Sequence, residues 1–247
     1  MSDERSRVRP AGWWFDGLLV VAFVVLTYLL WNQHFLGIDL AVRNWCGAHQ
    51  PTALHWLARV GNLLGQGGFF TLVSLLLAAF IGWQRHSVRP VLPVLMAFAL
   101  TFFSITFLKD WTDRAAPLSR NPDPERFGSG GVSYPSGHLA NALVWYGILA
   151  LLLSVWLPRR WRRVIRIAPP VILSITTVYL RFHWLSDTVA GILLGLFLWR
   201  LIGRVAWDRI PLGGWVTSRG WDRPVFERWD ADLSDDATVE PRDALHR

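Results

Sequence analysis

The chain has 247 residues, of which 52% are hydrophobic and 14% aromatic, including 16 tryptophans. This composition is too apolar for an ordinary soluble domain of that length. The formal net charge of +7 would suit a nucleic-acid partner, but the arginines lie in short clusters between apolar runs, so we expect a membrane protein and no nucleic acid.

Six apolar segments are long enough to cross a bilayer, since a crossing needs about 20 residues. They cover 14–31, 68–84, 90–108, 138–157, 164–182 and 185–206. Bulky residues follow the first segment where a cleavage site would need small ones, so we interpret it as an uncleaved anchor. The sequence therefore predicts an all-α, polytopic membrane protein with six transmembrane helices.

The regions outside these segments have two further patterns. Residues 37–66 mix apolar residues at helical spacing with polar ones, which predicts one or two amphipathic helices in the membrane interface. Residues 207–247 are polar and of mixed charge, which predicts a cytoplasmic tail that is partly disordered. The predicted organisation is a cytoplasmic segment over 1–12, a membrane domain over 13–206 and this tail.

The arginines predict the orientation of the chain. They cluster in the amino-terminal segment, in the loops 84–89 and 158–166, and after the last span. A six-span model places all four clusters on one side, which is then cytoplasmic together with both termini. The opposite, extracytoplasmic side of the plasma membrane holds 32–67, 109–137 and 182–187, which contain most of the unusual polar residues.

The first of these residues is Lys109, at the outer end of the third span. The chain has 24 arginines and this single lysine. Chance and codon usage would explain one lysine, and snorkelling would explain its tolerance at a span end. The functional interpretation is a site that needs a compact, strongly hydrated ammonium.

The second feature is the run YPSGH, which leads directly into the fourth span. Ser136 is placed to cap the helix, and Gly137 leaves the first free N–H groups unshielded, so that they form an anion site. His138 stands beside that site, within reach for proton transfer. A plain helix cap with an interfacial histidine is the alternative.

The third feature is RFHWLSDTVAG at residues 181–191. His183 and Asp187 are four residues apart, so one helical turn would place them on the same face. A carboxylate that orients an imidazole makes it a nucleophile or base, although such a pair is also common in structural roles. Three such features on one side of the membrane, with no metal-ligand cluster, suggest phosphoryl transfer.

The fragments KDWTDRAAP, YPSGHLAN and VYLRFHWLSDTVAG resemble the three motifs of the type 2 phosphatidic acid phosphatase family. Those motifs are K-x6-R-P, P-S-G-H and S-R-x5-H-x3-D, and the family includes membrane lipid phosphatases and related haloperoxidase and acid phosphatase folds. The resemblance covers roughly 40–206. It implies a six-helix membrane core and hydrolysis through a phosphohistidine, without a metal or cofactor.

The resemblance also implies a role for each matching residue. His183 would be the nucleophile and Asp187 its orienting partner, while His138 would protonate the leaving oxygen. The residues expected to hold the phosphate oxygens are Lys109, Ser136 and Gly137.

Two arginines of the family motifs are replaced in this chain. The first motif's arginine falls on Ala116 and the third motif's on Thr177. We expect Arg181, four residues beyond Thr177, to reach back to the phosphate if the fifth span continues that far as a helix. Arg114 is the other candidate, since many family members also have an arginine there. The remaining arginines of the 109–137 loop are expected to be solvated.

The leading hypothesis is a lipid phosphatase at the outer leaflet of a bacterial-type plasma membrane. Its partner would be a lipid phosphate such as phosphatidic acid, phosphatidylglycerol phosphate or a polyprenyl (pyro)phosphate. Two alternatives stay open because the motif arginines are replaced. One is a phosphotransferase that uses an alcohol acceptor instead of water, and the other is a catalytically impaired lipid-binding homologue.

Overall fold

The structure is a computed structural model that describes residues 12–227 and 229. Within these residues the chain is helical, and a single antiparallel bridge joins Ser87 to Asp222. Almost all of the predicted amino-terminal segment and the end of the predicted tail lie outside the described residues.

The helices of the described chain follow one another with short connections, apart from one long loop over 113–136. The helices are α1 Trp13–Trp31, α2 Leu36–Ala48, α3 Thr52–Asn62, α4 Gly67–Arg85, α5 Val91–Thr112, α6 Gly137–Leu152, α7 Arg159–Tyr179, α8 Leu185–Gly203 and α9 Gly214–Thr217. The predicted all-α class is confirmed.

Five helical segments have the length and apolar composition to cross a membrane: α1, α4, α5, α6 with the 3₁₀ turn after it, and α8 with the turn after it. The chain is a polytopic membrane protein, as predicted. The sixth predicted segment, 164–182, lies in α7, whose first turns carry RRWRRVIR and whose middle contains Pro169 and Pro170. These arginines lower the mean hydropathy of α7, so the count of six spans stays a prediction.

Helix α6 lies at the centre of the bundle. Of its candidate span, 72% is buried, against 22–33% for the other four. It packs against α4, α5, α7 and α8, which suits a helix that is hydrophobic on every side. Because four neighbours hold α6, its polar first turn is fixed in position at one end of the bundle.

Two glycines of α8 allow that helix to approach α6 closely. A Cβ atom at Gly195 would lie 2.9 Å from the Cα of Ala140, and one at Gly191 would lie 2.6 Å from the carbonyl oxygen of Ser136. Small residues let helix backbones approach where larger side chains would keep them apart. The start of α6 and the start of α8 therefore lie side by side.

Helices α2 and α3 form in the segment that the sequence predicts to be amphipathic. Helix α3 packs against α7, while α2 contacts both α7 and α8. Their outer faces expose large apolar side chains, among them Trp45 and Trp56. A location in the membrane interface stays a prediction, but α2 clearly covers the start of α8.

The described part of the predicted tail is packed against the bundle. The buried Arg89, which precedes α5, donates to the backbone carbonyls of Trp207, Ile210 and Asp222 at 2.8–3.1 Å. Asp208 in turn accepts from the backbone N–H groups that follow, at Val225 and Phe226. Folded structure therefore extends beyond the predicted domain boundary at 206, since charged side chains satisfy the tail's backbone groups.

Candidate active site

His183 and Asp187 lie at the start of α8, both buried. The helix begins at Leu185, so His183 precedes it rather than belonging to its first turn. The imidazole Nδ1 is 3.7 Å from Asp187 Oδ2 and 3.0 Å from the carbonyl oxygen of Ser133. A carbonyl only accepts, so Nδ1 carries the proton, and the lone pair of His183 is on Nε2.

Ser133 connects the histidine to the carboxylate. Its hydroxyl donates to Asp187 Oδ2 at 2.5 Å and lies 3.3 Å from His183 Nδ1. The backbone of Ser133 therefore fixes the imidazole tautomer, while the carboxylate of Asp187 lies near the same nitrogen. From the sequence alone, both tasks, fixing the tautomer and stabilising the cation, are expected of the carboxylate.

His138 faces the lone pair of His183. His138 is the second residue of α6, and its Nδ1 atom lies 3.3 Å from His183 Nε2, with the ring centroids 5.4 Å apart. The two histidines come from different helices that the close contact of α6 and α8 brings together. A group between these nitrogens would have a nucleophile on one side and a proton donor or acceptor on the other.

The first turn of α6 lies next to these histidines. The Ser136 hydroxyl caps the helix by accepting from the Leu139 N–H at 3.4 Å. A Cβ atom at Gly137 would lie 3.5 Å from Lys109 Nζ, so the ammonium lies close to the start of this helix. Lys109, Ser136 and Gly137 therefore surround a position suited to an anion, beside His138.

The loop that leads into α6 is anchored at Tyr134, which is fully buried. Its hydroxyl lies 2.6 Å from the Thr27 hydroxyl of α1, which itself donates to the Phe23 carbonyl. Burial raises the pKa of Tyr134 far above its usual value, so the phenol is protonated and donates to Thr27. The position of Ser136, two residues later, thus depends on α1.

Arg114 lies behind the histidine pair rather than beside the anion position. Its side chain is fully buried, and its guanidinium donates to Asp187 at 2.6 Å, to Asp39 at 2.7 Å and to the Ser186 hydroxyl at 2.7 Å. Its Nε donates to the Glu125 carbonyl at 2.8 Å. Two buried carboxylates attract this cation, and its donors are occupied by protein acceptors.

Sequence reasoning missed Asp39 and Ser133. Asp39 is buried in α2, pairs with Arg114 and accepts from the Ser186 backbone N–H at 3.0 Å. Its only signal in the sequence is that it is the single acidic residue of the 37–66 segment. No spacing rule identifies Ser133, because its role depends on a contact across 50 residues of chain.

The two vacant arginine positions are filled by small residues in packed surroundings. Thr177 is buried and its hydroxyl donates to the Leu173 carbonyl at 2.6 Å within α7. Ala116 lies half-buried in the long loop. Neither residue can donate a charge-assisted hydrogen bond to a phosphate, so any guanidinium in the site must come from elsewhere.

Arg181 takes a different route from the one expected. Helix α7 ends at Tyr179 and Arg181 adopts a left-handed backbone with φ of 58°, so it does not reach back along the helix. A Cβ atom at Gly47 of α2 would lie 2.9 Å from Nη1 of Arg181. Arg181 lines a cleft together with His183, and its buried Nε has no hydrogen-bond partner among the described residues.

Arg120 and Arg126 are exposed on the loop, and Arg126 is 3.7 Å from Asp123. In residues 12–227 and 229, no three His, Cys, Asp or Glu side chains are grouped as a metal site would require.

Comparison with known proteins places the same residues in a family context. Residues 90–211 match the model of the PAP2 superfamily. The chain is 28% identical over 148 residues to a phosphatidylglycerophosphatase B of Bacillus subtilis (strain 168), covering 56% of this chain and 68% of that protein. It is 23% identical over 194 residues to an undecaprenyl-diphosphatase of Sulfolobus acidocaldarius, covering 77% of this chain and 89% of that protein.

A solved structure has the same fold. The crystal structure of a transmembrane PAP2-type phosphatidylglycerolphosphate phosphatase from Bacillus subtilis superposes with a TM-score of 0.64 at 24% identity. The likeness covers 76% of this chain and 93% of that chain. The matched family region includes Lys109, His138 and His183.

Proposed function

Since the chain belongs to the PAP2 superfamily, we propose that it is an integral-membrane lipid phosphatase. It hydrolyses a lipid phosphate through a phosphohistidine intermediate, without a metal ion. The observation that carries this proposal is the 3.3 Å approach of His138 Nδ1 to His183 Nε2, whose lone pair is fixed by the Ser133 carbonyl.

The candidate lipids are phosphatidic acid, phosphatidylglycerol phosphate and polyprenyl (pyro)phosphates. The names of the relatives from Bacillus subtilis and Sulfolobus acidocaldarius support the second and third of these classes.

The phosphate binds at the start of α6, where Lys109 Nζ lies close to Gly137, the first residue of the helix. A helix amino terminus and an ammonium both favour an anion. Phosphorus then lies between the two histidines, which requires the half-exposed His138 ring to turn outward from its present contact.

In the first chemical step, His183 Nε2 attacks phosphorus and the bond from phosphorus to the lipid oxygen breaks. Protonated His138 gives its proton to that leaving oxygen, which departs as the lipid alcohol. The imidazole becomes cationic as it is phosphorylated. The buried carboxylate of Asp187, 3.7 Å from Nδ1, stabilises this positive charge.

In the second step, water attacks the phosphohistidine. His138, now neutral, takes one proton from the water as the bond from nitrogen to phosphorus breaks. His183 recovers its lone pair and inorganic phosphate is released. Each histidine thus ends in the protonation state in which it began.

A groove beside the phosphate position suits the lipid chain. It has a volume of about 270 Å³ and lies between α4, α5 and α6, with Gly68, Phe102 and Asn141 among its lining residues. Asn141 is one helical turn beyond Gly137. The groove therefore extends from the anion position towards the lipid-facing side of α5, where Phe102 is exposed.

The site is placed on the extracytoplasmic face in this proposal, with both termini in the cytoplasm. Lys109 ends α5, His138 begins α6 and His183 precedes α8, so all three lie at one end of the bundle. The arginines that begin α7 lie at the opposite helix end from His183. This separation supports the orientation that the distribution of arginines predicts.

The test is phosphate release by purified protein in detergent, with chelator present and with a panel of the candidate lipids. His183→Ala is expected to lower the rate by at least about 10³-fold. His34→Ala is the matched control, because His34 is an exposed histidine in the turn after α1. Equal loss in both variants, or full activity of His183→Ala, would contradict the proposal.

The same assay separates the two alternatives. A phosphotransferase would yield a phosphorylated alcohol with little free phosphate, and would still depend on His183. A lipid-binding homologue would bind the panel without turnover.

A further inference from the structure

We infer that Arg43, on helix α2, is a phosphate-binding residue that acts together with Arg181 in place of the two missing motif arginines. The inference rests on the proposed function and assigns a further residue to its site. It concerns a helix outside the three sequence motifs, which is why motif comparison does not point to it.

Arg43 lies near the positions of both missing motif arginines. Arg43, Arg181 and His183 line one narrow cleft between α2 and the ends of α7 and α8. Two other lining residues are Pro117 and Val178. Pro117 directly follows Ala116 and Val178 directly follows Thr177, so the cleft adjoins both positions from which a motif arginine is missing.

The residues that line the cleft carry more positive than negative charge. Among the described residues, neither Arg43 nor Arg181 forms an ion pair. The one carboxylate that lines the cleft, Asp39, is already bound by Arg114 and Ser186. Two guanidinium groups therefore face a cleft without a free carboxylate, which favours an anion from outside the protein.

The hydrogen-bond donors of Arg43 and Arg181 could bind a phosphate. Among the described residues Arg43 has no charged acceptor: its guanidinium bonds to the neighbouring Asn44 side chain at 3.1–3.2 Å and lies 5.6 Å from the centre of the Trp184 ring. The Nε of Arg181 is buried without an acceptor. Buried donors normally have a partner, and the oxygens of a phosphate would supply acceptors for both forks.

In this arrangement the phosphate is bound from two sides. Lys109 and the start of α6 contact it from one side of His183, and Arg43 with Arg181 contact it from the other. Because the cleft is narrow, the two long side chains rotate to admit the phosphate oxygens, and Arg43 leaves the Trp184 ring. Because Arg43 and Asp39 both belong to α2, a phosphate bound by Arg43 also contacts the helix that carries Asp39.

The first experiment measures binding without turnover. Inorganic phosphate is titrated into the His183→Gln protein in detergent and followed by ³¹P NMR. Adding Arg43→Gln is expected to weaken binding by about 10-fold or more, since charge-assisted hydrogen bonds are lost. Arg59→Gln is the matched control, because Arg59 is an exposed arginine of the neighbouring helix α3. Equal dissociation constants for the Arg43 and Arg59 variants would overturn the inference.

The second experiment distinguishes phosphate binding from a structural role. Ala116→Arg returns an arginine to the family's motif position and is expected to restore phosphate binding to the Arg43→Gln protein. Arg43→Lys, which keeps a charge but not the fork, is expected to be intermediate. Failure of Ala116→Arg to restore any binding would assign Arg43 a structural role and overturn the inference.

Kinetics separate this inference from the proposed function. With His183 intact, Arg43→Gln is expected to lower kcat/KM for lipid phosphate about 10- to 100-fold. If hydrolysis depends on His183 but Arg43→Gln changes nothing, the inference about Arg43 fails and the proposed function stands. If no lipid is hydrolysed but Arg43→Gln weakens phosphate binding, the proposed function fails and the assignment of Arg43 stands.

Discussion

The buried network behind His183 and the cleft beside it both contain arginine, in opposite surroundings. Arg114 is enclosed by two carboxylates, a hydroxyl and a carbonyl. Arg43 and Arg181 face the cleft with no carboxylate bound to either among the described residues. A guanidinium bound by two buried carboxylates stabilises the fold, and one without a carboxylate partner is available to an anionic ligand.

This comparison changes how the missing motif arginines are interpreted. The arginine retained in the first motif region, Arg114, is occupied by Asp39 and Asp187 and stabilises the catalytic carboxylate. In our proposal the positive charge for the phosphate comes from Lys109, Arg43 and Arg181. The loss of two motif residues is thus not equivalent to the loss of the anion site.

The largest expected effect comes from removing the enclosed arginine. Arg114→Ala leaves Asp39 and Asp187 buried without their cation and should destabilise the fold by about 3–5 kcal/mol. Thermal unfolding in detergent would measure this. Arg126→Ala, in the same loop but exposed, should change the melting temperature little. Similar melting temperatures for the two variants would contradict the account of the network.

The next largest effect is an expected loss of kcat, and it depends on the different roles of Ser133 and Asp187 at His183. Asp187→Asn removes the charge beside the imidazole but leaves the Ser133 carbonyl to fix the tautomer. We expect kcat to fall about 10²–10³-fold, less than the roughly 10⁴-fold typical when the tautomer is also lost. Ser133→Ala retains the carbonyl and should cost less than about 10-fold. A larger loss in Ser133→Ala than in Asp187→Asn would reverse these roles.

The close contact between α6 and α8 can be tested at Gly191. A methyl group there would lie 2.6 Å from the Ser136 carbonyl oxygen, so Gly191→Ala should destabilise the protein by about 1–3 kcal/mol. Gly17→Ala is the control, because a Cβ there has no neighbour within 4 Å. Unfolding midpoints would be compared, and an unchanged midpoint for Gly191→Ala would refute the close approach.

The smallest expected effect concerns the groove for the lipid chain. Gly68 lines the groove and a Cβ there meets nothing within 4 Å, so Gly68→Phe is chosen to fill the groove. It should lower kcat/KM for a lipid phosphate about 10-fold and leave hydrolysis of p-nitrophenyl phosphate unchanged. Gly17→Phe, on α1, serves as control. An equal loss for both substrates would place the groove outside the lipid path.

The elements that the sequence predicts well are those with a continuous apolar run. Helices α5, α6 and α8 follow directly from such runs, and the motifs place Lys109, His138 and His183 at their ends. Helix α7 is harder to predict, because its first turns carry arginines and because it ends at Tyr179, before the predicted end of the segment at 182. The route expected for Arg181 assumed a longer helix, while its contact with the phosphate stays a prediction.

The residues that sequence reasoning missed have roles defined by long-range contacts. Asp39 becomes important only when α2 folds over α8, and Ser133 only when the loop before α6 meets His183. The same holds for the arginines. Arg114 and Arg43 are chemically identical in the sequence, and only their neighbours in the fold distinguish a guanidinium bound by two carboxylates from one without a carboxylate partner.

The most direct measurement is to trap the phosphorylated enzyme. Rapid quenching of the protein during turnover of a ³²P-labelled lipid phosphate should yield an acid-labile, base-stable label on His183, absent from His183→Ala. Turnover without any labelled enzyme, or a label on a residue other than His183, would contradict the assignment of His183 as the nucleophile and with it the central claim.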